Sequence, residues 1–330
     1  MALRDADNFD FYSTVGDRWS QFTGVSISVG AGRRGTDALR VNGSNARAWR
    51  SYDNQATWIV HFSFRLVNPI ASAGTLLKFY DGATEQCAVS FNASGKLTLQ
   101  RQATVLATGT TTIQAGVEYH AQVKVTINNA GSMELKLNGV SEVSASGDTQ
   151  ATANAYANTI YFWSDGGTIS GIYIDDYVLF DGTGAANNDF GGDLKVFHKL
   201  PSGTGNYAQW TPSAGANYEN VDETPPDDDT TYNSSSTSGQ KDSFQFSAAS
   251  LTGSVPGVMC LYRARKDDAG SRTLRRLIRV GSSDYYGATL PGITDTYSYL
   301  EEILEQDPST SATWTTSGVD AAEYGYDLVS

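Results

Sequence analysis

The sequence is poor in the residues from which most catalytic and metal centres are built. It has two cysteines, three histidines and three methionines in 330 residues. Cys87 and Cys260 have no companion at metal-ligand spacing, so neither a disulfide framework nor a zinc site is expected, and two buried free thiols are. So few histidines make a histidine-built metal or proton-transfer site an unpromising reading, and His61 and His120, on the polar phases of their strands, read as solvated. No run approaches the roughly 20 apolar residues of a membrane span. The first seven residues lack the apolar stretch of a signal peptide, so the expectation is a chain made and folded in a cytoplasm, with no membrane insertion. Basic side chains are outnumbered 36 to 23, for a net charge of −13, which argues against nucleic acid as a partner because phosphate is repelled. No Gly-x-Ser-x-Gly elbow, phosphate-cradling glycine loop or His-Glu-x-x-His occurs.

What is present is alternation. Over 57–66, Trp58, Val60, Phe62, Phe64 and Leu66 fall on one face and Ile59, His61, Ser63 and Arg65 on the other, the period of two of a half-buried strand. Over 117–127, Tyr119, Ala121, Val123, Val125 and Ile127 repeat it, answered by Met133, Leu135 and Leu137 across a turn at Asn128-Asn129-Ala130-Gly131. Shorter strands read at 24–29, 38–41, 75–80, 87–91, 96–100, 159–163 and 169–180. With 40% hydrophobic residues and a length that suggests two domains, the expected fold is all-β, two antiparallel β-sandwich (jelly-roll) domains in tandem. The expected limits are 1–183 for the first jelly roll, 184–192 for a small polar linker and 193–330 for the second sandwich, with strands at 194–198, 244–246, 258–265, 274–280, 297–304 and 324–329. Residues 202–240, nearly without aliphatic side chains, read as a long surface loop or arm, a length that is uncommon unless the segment touches something.

The chemistry is sparse. A glycosidase needs two carboxylates about 5–10 Å apart; the nearest pattern, Glu301, Glu305 and Asp307, reads as a charged edge strand, so no catalytic residue is assigned and no enzymatic activity is expected. Strict alternation puts Asp176 on the face of Ile172, Ile174, Val178 and Phe180. A buried carboxylate there must be turned out by a bulge, hydrogen-bonded by loop amides, or bound to calcium. Asp227-Asp228-Asp229 reads as a solvated acidic loop, with calcium as the alternative. Trp49 and Tyr52, and separately Trp163 with Asp165, sit at strand ends beside polar loops, where a glycan-binding rim site or a core lid is expected. The stretch 258–280 reads as a hairpin around Asp267-Asp268-Ala269-Gly270. Arg263 and Arg265 share a face of its first strand, and Arg275 and Arg279 a face of its second. Two roles stand for them, pairing with the acidic loop 222–229 or docking on an acidic neighbour.

The opening Asp7-Asn8-Phe9-Asp10-Phe11-Tyr12, then Arg18-Trp19, then Gly32-Arg33-Arg34-Gly35-Thr36-Asp37-Ala38-Leu39-Arg40, resembles the start of laminin-G-like, concanavalin A-like jelly rolls of tailed-bacteriophage virion proteins. The strand over 57–66 and the closing Ile174-Asp175-Asp176-Tyr177-Val178 are similar to core strands of that family, so the resemblance covers about residues 1–183. In the second half, segments at 209–223, 265–270, 305–308 and 314–315 resemble phage structural proteins. The resemblance implies a non-enzymatic virion structural protein, a capsid decoration or a tail- or fibre-associated component. Its partners would be other virion proteins and copies of itself, and its location the virion. The alternative it implies is a host-recognition module binding cell-surface glycan through the jelly roll. Of the family's calcium ligands only the Asp175-Asp176 pair matches, so no cofactor is assigned, calcium remaining an alternative.

Overall fold

The computed structural model describes residues 2–164, 171–248, 253–290 and 292–330. The chain forms two compact units, the first ending at Val196 and the second running from Phe197 to Ser330. Both are antiparallel β structures, as the alternation requires, with one short α-helix among the described residues.

Unit 1 holds β1 (Leu3–Asp7), β2 (Ser20–Gln21), β3 (Val25–Ser28), β4 (Ala38–Val41), β5 (Ala46–Gln55), β6 (Thr57–Leu66), β7 (Gly74–Asp81), β8 (Thr84–Phe91), β9 (Lys96–Arg101), β10 (Thr104–Thr112), β11 (Glu118–Thr126), β12 (Gly131–Leu137), β13 (Val140–Gly147), β14 (Ala157–Ser164) and β15 (Ile172–Asp181). One sheet runs β13-β12-β11-β6-β15-β4-β3, with β1 also paired to β15; the other runs β10-β9-β8-β7-β14-β5-β2. The alternating residues of β6 and β11 lie on matching rungs, Phe64 opposite Tyr119, Phe62 opposite Ala121 and Val60 opposite Val123. All of them point between the sheets and are buried. There Phe62 meets Phe162 edge-on at 5.1 Å and Phe64 meets Phe91 at 6.3 Å. Each such ring contributes about 1.5–3 kcal/mol by leaving water, which sets the two layers face to face.

Strand β15 departs from strict alternation. A bulge lies between Asp175 and Val178, where Asp176 has φ +50°. It also marks a change of neighbour: residues 172–174 pair with β4, and 177–180 pair with β1. The extra residue inverts the phase. Ile172 and Ile174 lie on the rungs of Leu66 and Phe64, whereas after the bulge Leu179 shares the rung of Val60, and Val178 and Phe180 share those of His61 and Ile59. Val178 and Phe180 therefore occupy the opposite face from the one expected. The bulge turns Asp176 toward Arg34, whose two terminal nitrogens it accepts at 2.6 and 2.9 Å. Asp175 accepts from the Arg33 amide at 2.8 Å and the Thr36 hydroxyl at 3.1 Å.

The segment after β15 stays on unit 1. Asp189 pairs with Lys124 at 3.0 Å, and the Lys136 ammonium lies 4.2 Å from the centre of the Phe190 ring. The amides of Gly191 and Gly192 donate to His61 Nε2 at 3.4 Å and Gln122 Oε1 at 3.2 Å. Asp193 takes both arms of Arg33 at 2.5 and 2.7 Å, and the Val196 amide donates to Asp176 at 2.8 Å. Residues 184–192, expected as a linker, thus begin a strap across the outer face of β6, β11 and β12, and the strand expected over 194–198 has no ladder partner. The strap buries His61 (0% exposed) and His120 (3%), correcting the expectation that both are solvated. Alternation identifies a polar phase but says nothing of what later lies over it.

Unit 2 holds β16 (Pro201–Ala208), β17 (Thr211–Pro212), β18 (Asn233–Ser234), β19 (Lys241–Phe246), β20 (Val258–Ala264), β21 (Leu274–Val280), β22 (Ser283–Leu290), β23 (Ser298–Leu304), β24 (Gln306–Asp307), β25 (Ala312–Thr313), α1 (Thr316–Ala321) and β26 (Glu323–Leu328). A five-stranded sheet, β16-β19-β26-β21-β22, is faced by the two-stranded ribbon β20-β23. Cys260, Ile278, Trp314, Val319, Ala322 and Tyr324 are buried together there. The expected hairpin over 258–280 does not form: β20 pairs with β23, while β21 pairs with β22 and β26. The chain between β20 and β21 passes from one layer to the other instead of reversing within one. The expected arm over 202–240 is also structured within the unit. Its first part is β16, on β19, and the rest is gathered on the buried Asp242. That carboxylate accepts from the Gln209 amide at 2.7 Å, the Trp210 amide at 3.0 Å, Asn217 Nδ2 at 2.7 Å and the Tyr326 hydroxyl at 3.3 Å. Both cysteines are free and buried, and burial pushes each thiol up to about 12.

Candidate functional site

Strands β5, β14 and β7 are consecutive in the seven-stranded sheet of unit 1. Their inner phases are Ala46 and Ala48, Ile160 and Phe162, and Leu77 and Phe79, all 0% exposed. Alternation therefore sends the remaining side chains outward, and the register stacks them in rungs. Ser51, Thr159 and Tyr80 form one rung; Trp49, Tyr161 and Lys78 the next; Arg47 and Trp163 the third. The rings make one continuous surface. Trp49 stacks on Tyr161 at 5.3 Å and 23°. Tyr161 meets Tyr80 at 4.6 Å and Trp163 at 5.6 Å. Tyr80 and Trp163 are parallel within 8° at 6.3 Å. All four are half-buried, lying along the sheet with part of each ring open.

Two cations flank this surface. The Lys78 ammonium lies 4.3 Å from the centre of the Trp163 ring and pairs with Glu85 at 2.9 Å. The Arg47 guanidinium lies 4.6 Å from Trp163 and 4.4 Å from Phe22. Burial raises the Tyr161 hydroxyl above its ordinary pKa, against the Arg47 charge that lowers it, so that hydroxyl stays protonated at neutral pH. The Trp163 indole N–H is buried and has no partner among the described residues.

Of the residues expected to bind glycan, Trp49 and Trp163 share this surface. Tyr52 does not: its hydroxyl donates to Asp5 at 2.7 Å and lies 3.0 Å from that of Tyr177, in a network that ties β5 to β1 and β15. Asp165 lies outside the described residues. Arg47, Lys78, Tyr80 and Tyr161 escaped the sequence reading. Their signal was there as i, i+2 pairs (Arg47 and Trp49, Lys78 and Tyr80, Tyr161 and Trp163), but β5 hides its strand character behind two alanines on its inner phase.

The four arginines expected at an interface have partners inside unit 2. Arg263 holds Asp228 at 2.5 and 2.8 Å, and Arg265 holds Asp229 at 2.8 Å. Arg275 holds Asp327 and Arg279 holds Asp284, each at 2.6 Å. Of the two roles weighed for Arg263 and Arg265, pairing with the acidic loop is the one seen. Asp227 accepts from the Thr231 amide and hydroxyl at 3.1 and 2.9 Å. Glu301, Glu305 and Asp307 do not share a strand, because β23 ends at Leu304; Asp307 is buried and accepts from the Ser309 amide at 2.8 Å. Among the described residues no group of three or more His, Cys, Asp or Glu is arranged to hold a metal ion. Nor is any helix among them long and apolar enough to cross a membrane.

No protein-family model matches the chain, and no curated protein matches it in sequence. In fold it is similar to the cellulose-induced protein Cip1 (TM-score 0.44, 14% identity, 53% of this chain and 96% of that one). It is also similar to an endo-β-1,4-glucuronan lyase from the fungus Trichoderma reesei (0.39, 12%, 52% and 91%) and to the alginate lyase Aly36B (0.40, 14%, 53% and 95%). At these values the likeness concerns the β-sandwich alone. The expectation of a non-enzymatic virion structural protein acting by docking is corrected here. The arginines expected to dock pair with aspartates within unit 2, and the segment expected as a bare arm is folded on Asp242.

Proposed function

We propose that unit 1 binds carbohydrate chains on the outer face of β5, β14 and β7. The observation that carries this reading is the continuous surface of Trp49, Tyr161, Tyr80 and Trp163 on the phase opposite the core. Flat, half-exposed rings present an apolar face to the C–H face of a pyranose, while the hydroxyls of Ser51 and Tyr80 on one rung and of Tyr161 on the next offer hydrogen bonds to its hydroxyls. Three strands about 4.8 Å apart give a surface of the width of one or two sugar rings.

The test is affinity electrophoresis of the full chain in gels carrying a panel of soluble polysaccharides. Retardation by at least one polymer, lost in Trp49→Ala and in Tyr161→Ala with unfolding temperature unchanged, supports the reading; no retardation by any polymer removes it. The same polymers, incubated with the protein and assayed for new reducing ends and for the ultraviolet absorbance of unsaturated ends, show whether binding is accompanied by cleavage.

A further inference from the structure

We infer that Arg47 is a preformed oxoanion fork that makes this surface select chains bearing carboxylate or sulfate groups. The inference rests on the carbohydrate reading above and names the ligand class within it. Arg47 stands on the outer phase of β5, directly opposite Trp163. Its other flank is Phe22, which follows β2 and whose amide donates to the Arg47 carbonyl at 2.8 Å. Because β5 lies between β2 and β14 in the sheet, the two rings approach the guanidinium from opposite sides, at 4.4 and 4.6 Å. Nη1 is further fixed by donating to Asn45 Oδ1 at 2.6 Å, and Asn45 itself holds the left-handed conformation at φ +64°.

Held in this way, the side chain has already given up the rotamer freedom that an exposed arginine loses on binding. A planar guanidinium between two rings has its faces covered; with Nη1 on Asn45, the Nε–Nη2 edge, where two N–H groups point the same way, is not engaged by any described residue. That edge matches two oxygens of one carboxylate or sulfate. The charge also has no counter-ion among the described residues. Among the described residues no carboxylate pairs with Arg47, although Arg4, Arg18, Arg33, Arg34, Arg50 and Arg101 of the same unit each hold an aspartate. In a chain of net charge −13 an arginine with no acid beside it among the described residues, next to an aromatic surface, is placed for an anion from outside. The second cation does not duplicate it, since Lys78 already has Glu85.

Isothermal titration of the full chain with size-matched neutral glucan, polyuronate and sulfated-glycan oligosaccharides tests this, with the two acidic series separating the carboxylate source from the sulfate source. A charge-assisted bidentate contact corresponds to about a tenfold preference for one acidic series over the neutral one. Arg47→Gln is expected to remove that preference, read as the ratio of acidic to neutral affinity within the variant. Arg47→Lys, which keeps the charge and loses the fork, is expected to restore only a minor part. Arg263→Gln removes one positive charge from unit 2 and controls for net charge; near-ultraviolet circular dichroism checks the Trp environment in each variant. Equal affinity of the unaltered protein for neutral and acidic chains overturns the inference while leaving the carbohydrate reading intact. So does an acidic preference that survives Arg47→Gln, or that falls equally in Arg263→Gln. Absence of binding to every series overturns both.

Discussion

In unit 1 the outer face of the seven-stranded sheet sets Arg47 between Phe22 and Trp163, with no acid beside it among the described residues. In unit 2 the corresponding face of the five-stranded sheet sets Arg275 3.9 Å from the centre of Tyr286 and Arg279 5.3 Å from that of Tyr207. There, Asp327 and Asp284 hold the two guanidinium groups at 2.6 Å, and Lys241 reaches Asp284 at 3.3 Å. Rings and cations occur side by side on both faces, so composition does not separate them. What differs is where the counter-charge comes from. The unit 2 face satisfies its own charges and gains stability and shape; the unit 1 face leaves a guanidinium for a ligand. A cation over a ring is thus a sign of binding only once its acid has been looked for.

The strongest way to break this contrast is to remove the inward anchor of unit 2. Asp242→Ala deletes a buried acceptor of four hydrogen bonds and should destabilise unit 2 by about 3–5 kcal/mol, read by denaturant unfolding. A change below about 1 kcal/mol would mean that the segment 209–240 is held by other contacts. Next, Trp163→Ala removes the ring that both cations flank, and carbohydrate affinity should fall about tenfold or more. Tyr286→Ala, its counterpart in unit 2, should leave that affinity unchanged in the same titration; an equal loss in both would erase the distinction between the faces.

Acid should distinguish the units as well. Burial, with His120 nearby, lowers the His61 pKa from 6.5 to about 3, and His120 is lowered by burial too. Between those values the unfolded chain binds the proton that the folded chain refuses, so the His61 contribution is complete above pH 6.5 and is lost as the pH falls below it. At pH 5 the loss is about 2 kcal/mol. Asp175, raised by burial and by Asp176 from 3.8 to about 6, acts with the opposite sign and gains stability as the pH falls. The difference between the unaltered protein and His61→Gln isolates the histidine: the variant should lose less stability between pH 7 and pH 5, and parallel profiles would show that the imidazole is not protonated on unfolding. The smallest expected effect is that of Arg263→Gln, a partly exposed pair worth about 1 kcal/mol or less, measured as a small shift of the unit 2 transition with carbohydrate binding untouched.

Much of the fold was legible because the inner phases of β6 and β11 are uninterrupted; Trp58, Val60, Phe62 and Phe64 announce both the strand and the layer they face. Strand β5 was not legible, since Ala46 and Ala48 fill its inner phase and carry little hydrophobic signal. Half of the platform was named in advance, Trp49 and Trp163, because large aromatics stand out one at a time. Arg47, Lys78 and Tyr161 do not stand out, and only the rungs that join them make a surface. Tyr52 was misassigned to that surface because its hydroxyl partner, Asp5, lies 47 residues away.

Within each strand, the sequence alone determined the antiparallel all-β character and which residues of β6, β11 and β12 fill the core, because a period of two is a property of the local chain. The tertiary structure decided the rest. It placed the bulge at Asp176, which inverts the faces of Val178 and Phe180, and the strap that covers His61 and His120. It also assigned the aspartate partners that neutralise Arg263, Arg265, Arg275 and Arg279, while Arg47 has none among the described residues. Each of these depends on a neighbour brought in from a distant part of the chain, and whether a charge is spent internally or left for a ligand depends on which side chain occupies the adjacent strand.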